Sequence, residues 1–181
     1  MEIKPLRLGG AYEITLTPYV DDRGYFIRLY DERVFAEHGL QTRWVQDNQS
    51  RSTRTHTIRG MHFQRPPNAE AKLVRVLAGS ILDVIVDLRK DSETYGQWDS
   101  IQLSSDNFKM LYIPAGFAHG FCTLEPETIV GYKVDNHYAP ESEGGLRWND
   151  PTLNISWPTS NPTLSPRDSD HELFENFISP F

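Results

Sequence analysis

Two stretches concentrate the side chains able to move protons: TIRGMHFQ at residues 57–64 and AKLVRV at residues 71–76. An imidazole such as that of His62 titrates near neutral pH, so its neutral form can abstract a weakly acidic proton. An ammonium such as that of Lys72 can hold the negative charge that such an abstraction leaves on an oxygen. On a regular strand, Arg59, Met61 and Phe63 share one face, and Gly60, His62 and Gln64 share the other. Taken alone, a histidine so placed is more often a satisfied structural residue than a catalyst. Metal binding is the rival reading. A His-x-His pair would suit it, but Gln64 stands where the second histidine belongs, and the later His119, in GFAHGF, is distant. That set is poor for zinc or a transition metal, so no metal site is expected.

Other polar segments have ordinary explanations when read singly. QDNQSRS, residues 46–52, reads as a polar turn with side-chain-to-backbone hydrogen bonds. DDRGYF, residues 21–26, reads as a hairpin with Arg23 in solvent. GYKVDNHYAP, residues 131–140, carries Tyr132, Lys133, His137 and Tyr138 on what looks like an edge strand, and LSPRD, residues 164–168, reads as a turn.

The elements that must position these residues are short strands. The chain has 181 residues, enough for one domain spanning residues 1–181 with a sizeable core. Aromatic residues reach 12%, which together with generous β-branched content favours strands over a helical bundle. Strands are expected at 12–17, 24–30, 43–47, 57–64, 72–77, 81–89, 98–103, 110–113, 119–124 and 129–137. The run ILDVIVDLR alternates, with Leu82, Val84, Val86 and Leu88 on one face and Asp83, Ile85 and Asp87 on the other. Helices are expected at 32–38, capped by Asp31 and ended by Gly39, and at 169–177. Residues 150–166, with four prolines, should form an irregular strap. The pattern is that of an all-β jelly-roll barrel with a few short helices.

Charge and cysteine content narrow the function. Eighteen Lys+Arg against 25 Asp+Glu give a net charge of −7, which disfavours duplex nucleic acid but leaves room for a local anion site. A single cysteine, Cys122, excludes an intrachain disulfide and suits a reducing cytoplasm. No apolar run reaches membrane-spanning length, so a cytoplasmic protein without membrane contacts is expected.

Taken in order, DDRGYF, VQDNQS, IRGMHFQ, AKLVRV, DVIVDLR, SETYGQW, LYIPAGFAHGF, YKVDNHYAPESEGGLRWNDP and ISWP with LSPRD resemble the dTDP-4-dehydrorhamnose 3,5-epimerase family from about Tyr12 to Asp168. The resemblance implies a cupin-type jelly roll, a homodimer, and neither metal nor organic cofactor. It implies that His62 is the catalytic base, Asp168 the carboxylate orienting its ring, Lys72 the neighbour of the sugar ketone and Tyr132 the proton-returning acid. It also implies that Arg23, Gln46, Asp47, Asn48, Arg59, His119 and Tyr138 line a nucleotide-sugar cleft.

The implied chemistry suits these residue types. A ketone at carbon 4 acidifies the hydrogens on carbons 3 and 5, because the carbanion delocalises onto oxygen as an enolate. A base on one face and a phenol on the other can then invert a centre. Two departures from the family stand out. Arg28 replaces a common acidic residue near the nucleotide base, and a guanidinium suits the acceptors of cytosine as a carboxylate suits the N–H of thymine, leaving dTDP and CDP both open. His137 stands where a second aromatic hydroxyl is frequent. A sugar 3,4-ketoisomerase on the same fold and a non-catalytic sugar-nucleotide-binding cupin are the competing readings.

Overall fold

The computed structural model describes Met1–Phe181. Strands β1 (Glu2–Pro5), β2 (Tyr12–Thr15), β10 (Lys109–Ile113), β7 (Lys72–Ala78), β12 (Thr128–Val134) and β5 (Gln46–Ser52) form a six-stranded sheet in that order. Strands β13 (Glu143–Gly145), β6 (Ile58–Gln64), β11 (Phe117–Thr123), β8 (Ser80–Asp87) and β9 (Trp98–Ser104) form a five-stranded sheet in that order. The ladders of both sheets are antiparallel, and β3 (Tyr19–Asp21) with β4 (Gly24–Phe26) makes a separate hairpin. This is the expected jelly roll. No helix is long and apolar enough to cross a membrane.

Three apolar clusters hold the sheets in place. The largest joins Val74 and Leu111 of one sheet to Ile81, Ile85 and Phe121 of the other. A second covers the outer face of the five-stranded sheet, where Met61, Val84, Val86 and Leu88 meet Leu153 and Phe177 from the C-terminal strap. A third lies outside the six-stranded sheet, where Ile14, Leu73 and Met110 meet Phe35 of α1 (Glu32–Glu37). Strand β8 is therefore covered on both faces. Its Val84–Val86–Leu88 face meets the strap, while Ile85 faces the first cluster, matching the expected alternation. Helix α1 also starts as expected, with the Asp31 side chain accepting from Arg33 N and Gly39 at φ 67° just beyond its end.

Several boundaries differ from expectation for physical reasons. The polar run 46–52 is not a turn but all of β5, while 43–45 lie outside it. Full-length pairing with β12 outweighs the low strand propensity of Asn, Asp and Gln. The expected helix at 169–177 does not form as one piece. Helix α2 occupies Pro166–Ser169 and a single 3₁₀ turn occupies Phe174–Asn176. Between them Glu172 bridges to Leu146, and its carbonyl accepts from Arg147 N at 2.9 Å, which holds the backbone extended. Strands β1 and β13 were not expected, having four and three residues, too few to show a period, whereas β3 and β4 form the expected hairpin around Arg23.

Strand β6 contains the irregularity that matters most. His62 pairs with His119 and Arg59 with Phe121, so three steps on β6 face two on β11, a β-bulge. The extra residue breaks the alternation, and Arg59 and His62 both line one cleft although simple alternation places them on opposite faces. Gly60 makes the bulge possible. Its φ is +136°, and a Cβ there would lie 2.5 Å from Gly120 Cα.

Candidate active site

A cleft of about 550 Å³ opens between the sheets. His62 enters it from β6, flanked in register by His119 of β11 and Gly145 of β13. Lys72 enters from β7 and Tyr132 from β12, on the opposing sheet. Asp168 comes from the strap by way of α2. Ser165 caps that helix by accepting from Asp168 N at 3.1 Å, and Pro166 fits its first turn, where no N–H is needed. The cap anchors a carboxylate that is only 5% exposed directly behind the imidazole.

The central contact joins His62 Nε2 to Asp168 Oδ1 at 2.6 Å. A neutral ring bonded this way carries its proton on Nε2 and leaves Nδ1 as the free base. Burial lowers the His62 pKa below its ordinary value; Asp168 opposes that shift, and the charges of Lys72 and His171 reinforce it. Burial pushes Asp168 upward, but the nearby His171 ring and the hydrogen bonds with His62 and Ser165 outweigh it and hold the carboxyl far below the usual range. Burial first, then the Glu70 carboxylate, raise the Tyr132 pKa against an opposing pull from Arg59, so the phenol keeps its proton. The site thus pairs a neutral base with a protonated acid.

The remaining residues frame these groups. Lys72 Nζ lies 3.3 Å from Glu70 Oε1, an ion pair almost closed to solvent. His119 Nε2 meets the buried Asp83 at 2.6 Å. The Gln64 amide is saturated: Oε1 accepts from Ala139 N at 2.7 Å, and Nε2 donates to Asn68 O, Glu70 Oε2 and His137 O. Gln64 is thus a fixed strut, neither a ligand nor a reactant. Gln46, Asn48 and Arg59 line the cleft, and Tyr138 does so with its hydroxyl donating to Glu143 at 2.7 Å.

Three expected cleft residues lie elsewhere. Asp47 points to the opposite face of β5 from Gln46 and Asn48, by plain alternation, and pairs with Lys133 at 2.6 Å. Arg23 sits at the exposed tip of the β3–β4 hairpin, ion-paired with Asp21. Arg28 pairs with Asp31 at 3.2 Å, outside the cleft lining of its own chain. His137 contributes its backbone carbonyl to Gln64. Glu70, Arg167 and His171 were not anticipated. The visible signal for His171 is its i,i+3 spacing from Asp168, which brings its Nε2 to 3.7 Å from the carboxylate.

Comparison with known proteins points to one family. The family model described as dTDP-4-dehydrorhamnose 3,5-epimerase matches residues 5–176. A dTDP-4-dehydrorhamnose 3,5-epimerase of Methanothermobacter thermautotrophicus is 50% identical over 151 residues, covering 83% of this chain and 80% of that protein. A dTDP-4-dehydrorhamnose 3-epimerase of Streptomyces niveus is 40% identical over 171 residues, covering 94% and 82%. The crystal structure of the Bacillus anthracis dTDP-4-dehydrorhamnose 3,5-epimerase with TDP and pyrophosphate bound superposes with a TM-score of 0.93 at 46% identity, covering 95% of this chain and 98% of that one.

The two shifted groups make stability fall on acidification. With the His62 pKa lowered in the fold, the unfolded chain binds more protons below about pH 6.5, so stability drops from there toward the lowered value. The contribution of Asp168 is present above its unfolded value of 3.8 and is lost as pH falls toward the depressed one. Urea unfolding between about pH 7.5 and 5 should therefore show declining stability, and His62→Asn should flatten part of that decline. An unchanged slope in the variant would remove His62 as its source.

Proposed function

The chain belongs to the dTDP-4-dehydrorhamnose 3,5-epimerase family, and on that premise we propose that it inverts carbons 3 and 5 of a dTDP-linked 4-keto-6-deoxyhexose through an enolate, in deoxysugar biosynthesis. The observation that carries the reading is the placement of His62, backed by Asp168, on one sheet and protonated Tyr132 on the other, with Lys72 in the same cleft. Nδ1 of His62 removes the proton from carbon 3 or 5, and the electron pair moves onto the carbon-4 oxygen. The Lys72 ammonium holds that oxygen, and stabilising the developing charge usually contributes most to such catalysis. Asp168 stabilises the imidazolium, and the Tyr132 phenol delivers a proton to the opposite face. Arg59 supplies planar donors for a diphosphate. A ketoisomerase would return the proton to a different carbon, whereas donors on opposite walls fit return to the same carbon from its other side.

The same reading includes a homodimer. The β3–β4 hairpin exposes Tyr19 and Val20 at 73% and 75%, and Tyr25 and Phe26 at 59% and 62%. A two-stranded hairpin with that apolar surface is poorly stable in water and suits a partner chain. The hairpin and the segment after it carry Arg23 and Arg28, whose side chains are both exposed. The one cysteine, Cys122, is buried and unpaired, which agrees with a cytoplasmic setting.

Three measurements test this. In deuterated buffer, His62→Asn should slow deuterium entry at carbons 3 and 5 by about 10²–10⁴-fold, as loss of a general base does, whereas Tyr132→Phe should retain exchange and lose inverted product. Deuterium at carbon 3 alone would mark single inversion, and exchange at wild-type speed in His62→Asn would reject the base assignment. Phe26→Glu should convert a dimer to monomer in light scattering; a monomeric wild type would remove the dimer from the reading. Thermal stability should rise with dTDP and not with CDP, since ligand binding to the folded state raises the melting point. A preference for CDP would instead identify Arg28 as a cytosine reader.

A further inference from the structure

We infer that His62, Asp168 and His171 form a capture site for one divalent transition-metal ion of the zinc type, and that its occupation silences the epimerase. The three donor atoms lie within 4.8 Å of one another. His62 Nε2 and His171 Nε2 stand 2.6 Å and 3.7 Å from the same Asp168 oxygen, Oδ1. Two imidazoles and one carboxylate form a familiar donor set for zinc and its neighbours. It differs from the set weighed on sequence grounds, since Gln64 is saturated by the backbone and His119 is held by Asp83.

A second, independent observation points the same way. His171 Nε2 is buried without a hydrogen-bond partner, although such groups are almost always satisfied. A carboxylate oxygen lies 3.7 Å from it, so the nitrogen is suited to a shared cation. The ring is held in place. It meets the His62 ring edge-on at 5.5 Å, and it occupies the space a side chain at Gly145 would need, where a Cβ would lie 2.4 Å from His171 Cε1. The His171 carbonyl accepts from Arg147 Nε at 3.2 Å.

The three donors are near the spacing a single ion needs. Tetrahedral zinc with bonds of 2.0–2.1 Å places its ligand atoms about 3.3 Å apart. The His62–Asp168 pair at 2.6 Å must open slightly and the His171–Asp168 pair at 3.7 Å must close slightly, while the two imidazole nitrogens approach from a separation of at most 4.8 Å. His62 and Asp168 line the cleft, which leaves the fourth position to water or a small anion. The Lys72 ammonium, a positive charge in the same cleft, is countered by Glu70 at 3.3 Å.

Silencing follows from the tautomer. A metal on Nε2 moves the remaining ring proton to Nδ1, and the nitrogen that should abstract from the sugar no longer has a lone pair. Asp168 meanwhile becomes a ligand. The capture itself stands on geometry; only the silencing rests on His62 being the base.

The test uses the intact chain with two probes, Co²⁺ and Zn²⁺. Co²⁺ should give a tetrahedral-type visible absorption that saturates at one ion per chain and is displaced by Zn²⁺. Zn²⁺ should suppress substrate deuterium exchange, and a chelator should restore it. His171→Phe keeps an aromatic ring and removes the donor. Relative to its own metal-free rate, it should need at least about tenfold more Zn²⁺ for half-inhibition and should lose the Co²⁺ band. His171→Gln should behave alike, which guards against a variant that does not fold. Absence of the band, or equal Zn²⁺ sensitivity in wild type and both variants, would overturn the site and leave the epimerase reading intact. A bound metal with exchange undiminished would overturn the silencing, and with it the assignment of His62 as base.

Discussion

The hydrogen bond between His62 Nε2 and Asp168 Oδ1 joins residues 106 apart in sequence, and it constrains the structure on both sides. Holding a carboxylate charged beneath the surface requires specific partners, since an unpaired buried charge would neutralise instead. Ser165 and His62 serve as partners only if the strap runs back over the five-stranded sheet. The apolar contacts of Leu153 and Phe177 with Met61, Val84 and Val86 secure that path. What resembles a loose proline-rich tail is therefore the element that anchors the dyad.

The second half of the site depends on the facing sheet. Tyr132 and Lys72 sit on β12 and β7, whose register places Tyr132 opposite Val74 and Val134 opposite Lys72. Neighbouring strands thus bring a phenol and an ammonium into one wall, while β6 brings an imidazole into the other. The electrostatics differ accordingly. Burial lowers the pKa of His62 and raises that of Tyr132, so one physical cause keeps both groups uncharged. Glu70 adds to the effect on Tyr132 and balances Lys72, allowing two walls of mixed charge to share a narrow space.

Much of this was legible in the sequence, because strands with an alternating pattern identify themselves. Strand β8 disclosed both its faces, and α1 disclosed both its ends. The run 46–52 misled, since pairing with β12, far downstream in the chain, makes a strand of residues whose own preferences point to a turn. Alternation also misassigned Arg59, because a bulge is a property of two strands together and Gly60 alone does not announce it. His171 shows the same limit. Its spacing from Asp168 is local and readable, but its contact with the His62 ring depends on Gly145 lying beside His62, a fact of sheet pairing.

Exposure separates two pairs that are alike in geometry. The site holds two His–Asp pairs side by side, His62 with Asp168 and His119 with Asp83, both 2.6 Å long and on paired strands. Geometry of the pair alone cannot distinguish base from support. The His62 side chain is 30% exposed and that of His119 only 9%. A group that takes a proton from a substrate must reach it and then lose that proton again, and the more open imidazole has that access. His119, locked to a carboxylate with no exposure, is the more enclosed of the two and forms part of the cleft wall. The same dyad thus appears twice at different depths, and the more open of the two is the one the proposed chemistry uses.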